Sequence, residues 1–162
     1  MPVDTVAAMP ETDWISRAIA LVEVIGGAVG LGLASQGLHS NAWFLALLVM
    51  LVYTWSVIAG VKLWRQRDGG WVHSIVVQVL QIPWIITPHL SYQFAVGCGA
   101  WLGFGSDGWV KSRALASRFD FSWATGFGPQ FDNAPWNLAF NIVAIAAAAY
   151  LFWRYRQMKS LG

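Results

Sequence analysis

From Asn41 to Trp64 the chain carries no charged residue before Lys62. A membrane-spanning helix needs about 20 mostly apolar residues, and this run supplies them without interruption. Its surroundings are of the same kind: 57% of the residues are hydrophobic, 11% are charged, and the mean hydropathy is +0.51. A soluble domain carries about 25% charged residues and buries only roughly 70% of its unfolded surface at this size. A disordered tail, a secreted disulfide scaffold and an ordinary cytosolic enzyme are excluded on these grounds. A small polytopic membrane protein remains.

Three further regions have comparable character. Residues 14–34 are broken only by Arg17 and Glu23, residues 71–105 are punctuated by Pro83 and Pro88, and residues 136–155 hold the alanine run Ala146 to Ala149. Tryptophans at Trp14, Trp43, Trp64, Trp71, Trp136 and Trp153 mark many of the ends, as expected of rings that favour the headgroup zone. The expected fold is an all-α integral membrane protein: one membrane domain over residues 1–162, built as a four-transmembrane-helix bundle. Its third helix is kinked or broken near 83–88, and one external loop over 106–135 holds a short strand or hairpin.

Lysine and arginine set the orientation. The link between the second and third regions holds Lys62, Arg65 and Arg67, the C-terminal tail holds Arg154, Arg156 and Lys159, and the first link from Ser35 to Ser40 holds none. The positive-inside rule then puts both termini on the cytoplasmic side of a bacterial cytoplasmic (inner) membrane. The acidic start (Asp4, Glu11, Asp13) lacks the basic n-region of a cleaved signal peptide.

Glu23 is the most informative residue. It lies about 13 Å along the helix from Trp14, near mid-bilayer, where a carboxylate normally faces protein or water and is functional by default. Gly26, Gly27 and Gly30 share its face, and Gly26-x-x-x-Gly30 is a seam that admits a second helix. The third region enters from the same side, so Ser74, Gln78 and Gln81 reach a similar depth. Tyr53, Thr54 and Ser56 approach from the second. Hydrogen bonds from these groups would hold Glu23 in either protonation state. The candidate binding or coupling set is therefore Glu23, Gln78, Gln81, Tyr53 and His89. Arg17 is expected to snorkel at the cytoplasmic end.

Pro83 should end or kink the third helix, with Thr87 and Pro88 as a cap and first turn where it restarts. Gly99 and Gly103, like Gly26 and Gly30, are expected to serve close helix packing. In the 106–135 loop, Phe119, Phe121 and Trp123 alternate with Asp120 and Ser122, a strand period. With Phe127 in the following turn, they form the expected surface for a partner or lipid. Asn133-Ala134-Pro135-Trp136 should cap and open the last span.

No metal, haem or other cofactor is expected. Cys98 is a single cysteine, which excludes the quinone-linked disulfide enzymes, and His39, His73 and His89 form no ligand spacing. Nothing orders a Ser/His/Asp set, so no catalytic residue is assigned. Walker and dinucleotide-binding glycine patterns are absent. The basic clusters are juxtamembrane, which speaks for anionic lipid rather than nucleic acid.

Ala20-Leu21-Val22-Glu23-Val24-Ile25-Gly26 resembles the first helix of the small multidrug-resistance transporters. The resemblance covers that stretch alone and implies Glu23 as the residue that exchanges a proton for a cationic substrate. The chain departs from that family in its greater length, its long external link and its two prolines. The stretch from Leu63-Trp64-Arg65 to Gln81-Ile82-Pro83 resembles bacterial four-helix membrane proteins without assigned activity. The leading expectation is a non-catalytic accessory, assembly or immunity-type subunit that acts by helix packing and its outer aromatic loop. Its partners would be the bilayer and either a membrane protein or further copies of itself. A proton- or cation-coupled transporter using Glu23 is the alternative, and a lipid-modifying enzyme ranks third.

Overall fold

The computed structural model describes residues 13–39, 43–67, 69–106, 108–114, 117–123 and 135–160. Helix α1 (Trp14–Ser35) starts at Asp13, whose carboxylate accepts from the Ile15 N–H at 3.1 Å and from the Ser16 hydroxyl. A turn of 3-10 helix (Gln36–His39) leads toward α2 (Trp43–Trp64). The two helices run antiparallel and close together because small residues line the seam. Gly27 lies against Val57 and the Tyr53 carbonyl, Gly30 against the Tyr53 ring, and Gly60 against the Ala20 carbonyl.

The basic link then turns at Gly69, whose φ of 78° is left-handed, into α3 (Gly70–Leu80). This helix has 11 residues, about 16 Å at 1.5 Å each, so it reaches only about halfway across a bilayer. It ends before Pro83, which lacks an N–H and biases the preceding residue toward extended backbone. The chain continues as β1 (Pro83–Ile86), β2 (Leu90–Ala95), β3 (Gly99–Gly105), β4 (Gly108–Ala114), β5 (Arg118–Trp123) and β6 (Asn137–Asn141), before α4 (Ile142–Ser160). The strands form one six-stranded antiparallel sheet in the order β4-β3-β6-β1-β2-β5.

This overturns the all-α four-helix bundle. Two helical stretches, Trp14–His39 and Trp43–Trp64, are long and apolar enough to cross a membrane. The expected third span over 71–105 is α3 followed by three strands, and the expected fourth over 136–155 is β6 followed by α4. The expected helix restart at Thr87–Pro88 is a hairpin turn: the Thr87 N–H donates to the Leu90 carbonyl at 2.7 Å, and the Leu90 N–H donates to Thr87 Oγ1 at 2.9 Å. The region read as an external loop contributes β4 and β5 to the sheet. The cap of the last helix is Asn141, whose Oδ1 accepts from the Val143 and Ala144 N–H groups at 3.1 and 3.3 Å. Pro135 and Trp136 precede β6, and Asn133 and Ala134 lie outside the described residues.

The strand segments are rich in aromatic and β-branched residues, which fit a pleated surface better than a helix. In β3 and β6, Gly99, Trp101, Gly103, Ala139 and Asn141 are buried, while Leu102, Phe104, Leu138 and Phe140 are exposed. That alternation is a strand period, with apolar residues on its open face. Trp84 and Trp101 meet edge to face on the buried side, with ring centroids 6.2 Å apart.

Away from the sheet, the four helices meet around Ala20, Leu63, Trp71 and Leu151. Arg154 Nε of α4 reaches Asp13 Oδ2 at 3.3 Å, and the Arg17 guanidinium lies over the Trp64 ring at 5.5 Å. This end of the molecule also carries the basic link of Arg65 and Arg67.

Candidate functional site

Glu23 is fully buried where α1, α2 and α3 meet. The Ser74 hydroxyl donates to its Oε2 at 2.7 Å, and Gln78 Nε2 donates to its Oε1 at 2.9 Å. Ser56 Oγ donates to the Glu23 backbone carbonyl at 3.2 Å. Ser74 and Gln78 stand four apart on α3, so helical geometry brings both onto one carboxyl group. Both donors are neutral, and a serine hydroxyl can rotate to accept as well as donate. The arrangement accommodates a carboxylate or a carboxylic acid.

The other candidate residues go elsewhere. Gln81 turns away from Glu23: its Oε1 accepts from the Val96 N–H at 2.8 Å, and its Nε2 donates to the Val77 carbonyl at 3.3 Å, so it joins α3 to the β2–β3 connection. Tyr53 is buried beside Phe94, with ring centroids 5.5 Å apart, and its hydroxyl donates to the Ala95 carbonyl at 3.4 Å. Thr54 is exposed and donates to the Met50 carbonyl of its own helix. His89 is exposed in the β1–β2 turn.

The glycines serve contacts other than those expected. Gly26 lies against the backbone of Val96 and Gly97, so one half of the small-residue motif receives a sheet connection and the other half receives Tyr53. Gly99 lies under the Trp101 ring, and Gly103 against Leu138 and Ala139, which makes both part of the sheet rather than a helix seam. Phe119, Phe121 and Trp123 occupy β5 in register with Phe94, Tyr92 and Leu90. Phe127 lies outside the described residues.

Cys98, unassigned from sequence, lines a cavity of about 160 Å³ together with Val22, Gln78, Gln81, Val96 and Val143. Gln78 thus touches both this cavity and Glu23. Ser117, also unassigned, is buried; its hydroxyl donates to the Gly26 carbonyl and accepts from the Gly97 N–H at 3.1 Å. Asn141 serves strand and helix together, since its Oδ1 also accepts from the Ala100 N–H at 3.2 Å. Gln93 Oε1, Trp101 Nε1 and Asn141 Nδ2 are buried without a hydrogen-bond partner among the described residues. None of these roles follows a sequence motif, because each depends on which strand lies next to which helix.

At the basic end, Trp55 Nε1 donates to His73 Nδ1 at 3.1 Å, and Lys62 Nζ lies 3.4 Å from His73 Nε2. Among the described residues no group of three or more histidine, cysteine or acidic side chains could hold a metal ion. No protein-family model, curated protein or solved structure matches this chain.

Proposed function

We propose that this chain is a non-catalytic membrane-embedded protein, an accessory, assembly or immunity-type subunit of a bacterial cytoplasmic membrane that works by binding a membrane-protein partner. The observation that carries the reading is the distribution of polarity. Glu23, Ser56, Ser74, Gln78, Gln81 and Asn141 are inside, while large apolar side chains point outward along α1 and α2 and, on α4, at Ile142, Val143, Ile145, Phe152 and Trp153. The open face of β4, β3 and β6 adds Leu102, Phe104, Trp109, Leu138 and Phe140 in one patch. Contiguous exposed apolar surface marks a membrane or protein contact. An open sheet at membrane depth is tolerated only when protein or a water-lined cavity covers it, which favours a protein partner for this face over lipid alone.

The cytoplasm would lie at the end where Arg65, Arg67 and Arg154 gather, in keeping with the positive-inside rule. Native mass spectrometry after gentle extraction tests the reading. A second polypeptide at fixed stoichiometry, lost when Phe104 and Phe140 are changed to serine, supports it. A lone chain or a homo-oligomer sinks the subunit role.

One observation favours a second reading, in which Glu23 couples a proton or cation to transport: Gln78 lies between Glu23 and the cavity beside Cys98. Proton flux into liposomes that disappears in a folded Glu23→Gln variant would support it. Unchanged flux would remove it.

A further inference from the structure

A second cavity, of about 340 Å³, opens between α1 and α2 on the side away from the basic end. Small residues border it, Ala34 on α1 and Ala46 on α2, so no long side chain fills the space from those positions. Gly30 meets the Tyr53 ring, which closes the deep end. Leu33, Leu45 and Val49 make the long wall apolar.

The other wall is different in kind. Ser117 and Arg118, at the start of β5, line it. Ser117 is tied to the Gly26 carbonyl and the Gly97 N–H, so the backbone that carries Arg118 is anchored to α1 and to the β2–β3 connection. Arg118 is exposed, and among the described residues no carboxylate forms an ion pair with it. A guanidinium is always charged and matches a carboxylate through two parallel hydrogen bonds. The cavity therefore combines an apolar trough with one exposed guanidinium at its wall. Its volume is at the low end of small-molecule sites, about 300–1,000 Å³, which suits one acyl chain rather than two.

We propose that this cleft binds a long-chain fatty acid, its chain between α1 and α2 and its carboxylate on Arg118. The site is separate from Glu23 and from the apolar sheet face, and the proposal goes beyond the subunit role.

The test uses the full chain in nanodiscs of phosphatidylcholine, with a diazirine-bearing palmitic acid as the probe. Crosslinks are expected in the peptides that hold Leu33 and Ala34 and that hold Leu45 to Val49. Unlabelled palmitate should compete, whereas hexadecanol and hexadecyltrimethylammonium should compete poorly. Arg118→Gln should weaken palmitate by about tenfold, the size of one lost charge-assisted hydrogen bond, and Arg118→Lys should restore part of it. Ala46→Phe should abolish labelling of the cleft. Because that variant could also disturb packing, Arg118→Gln, at an exposed position, carries the decision. Crosslinks spread over the outward faces of both helices would overturn the proposal. So would equal competition by hexadecanol, unchanged palmitate affinity in Arg118→Gln, or stronger displacement by phosphatidylglycerol than by palmitate.

Discussion

At the scale of single residues, Glu23 combines the most costly chemistry with the most complete set of partners. Replacing it by glutamine keeps the shape and one acceptor, so the folded protein should lose about 1 kcal/mol, the net value of one hydrogen bond. Replacing it by alanine leaves Ser74 and Gln78 buried without their acceptor, at about 1–3 kcal/mol for each stranded group. Thermal unfolding in detergent should therefore rank Glu23→Gln well above Glu23→Ala. Equal melting temperatures for the two variants would mean that the hydrogen bonds contribute little.

Asp13 shows the opposite balance. Partial burial opposes its charge, but hydrogen bonds from Ser16, Tyr150 and the Ile15 backbone prevail and hold its carboxyl below the ordinary value. A carboxyl depressed in the folded state stabilises above its unfolded pKa of about 4, and that contribution is lost as pH falls through the lower folded value. Stability should thus fall in acid below about pH 4. Asp13→Asn keeps the N-cap, since both residues cap well, but removes the charge that faces Arg154. The variant should lose this part of the acid dependence, read as melting temperature against pH.

At the scale of elements, the α1–α2 seam and the sheet connection are separable. A methyl group on Gly30 would meet the Tyr53 ring, and one on Gly26 would meet the backbone of Val96 and Gly97. Overpacking of this kind costs about 1–3 kcal/mol. Gly30→Ala should be partly rescued by Tyr53→Leu, because a side chain is the obstacle. Gly26→Ala should not be rescued by trimming Val96 to alanine, because the Gly97 nitrogen, a backbone atom, is the nearest obstacle. Melting temperatures of the single and double variants check this.

The same elements show why the strands were hard to read. In β3 the buried positions are glycine and tryptophan and the exposed ones are leucine and phenylalanine, so the alternation is in size, with little contrast in polarity. A short apolar run of this type cannot be told from a buried helix by hydrophobicity alone. The glycines at 99, 103 and 105, set among aromatic residues, were the available signal, and they read equally well as helix-packing positions.

At the scale of the whole molecule, all four helices gather at the basic end, and at the other end α1 and α2 continue beside the sheet. Outward apolar residues should keep the protein in the membrane pellet through an alkaline carbonate wash, with release only by detergent. A protein recovered in the carbonate supernatant would refute membrane embedding. In intact spheroplasts, a tag after Gly162 should resist added protease, whereas cleavage there would reverse the proposed orientation.

Composition and runs of apolar residues were sufficient for the two long helices, because a stretch of about 20 mostly apolar residues has few other uses. Helical spacing put Ser74, Gln78 and Gln81 together at the depth of Glu23; the structure brings Ser74 and Gln78 onto its carboxyl group, while Gln81 turns to the Val96 N–H. What only the tertiary structure decided is the fate of the described residues between Pro83 and Asn141. Pairing between strands joins residues far apart in the chain, such as Leu102 with Phe140 and Phe94 with Phe119. The hydrogen bonds that stabilise such a pair come from a neighbouring strand, so no local window of sequence contains them. Gln81, Ser117, Asn141 and Arg118 acquire their places through that pairing, and with it the second cleft.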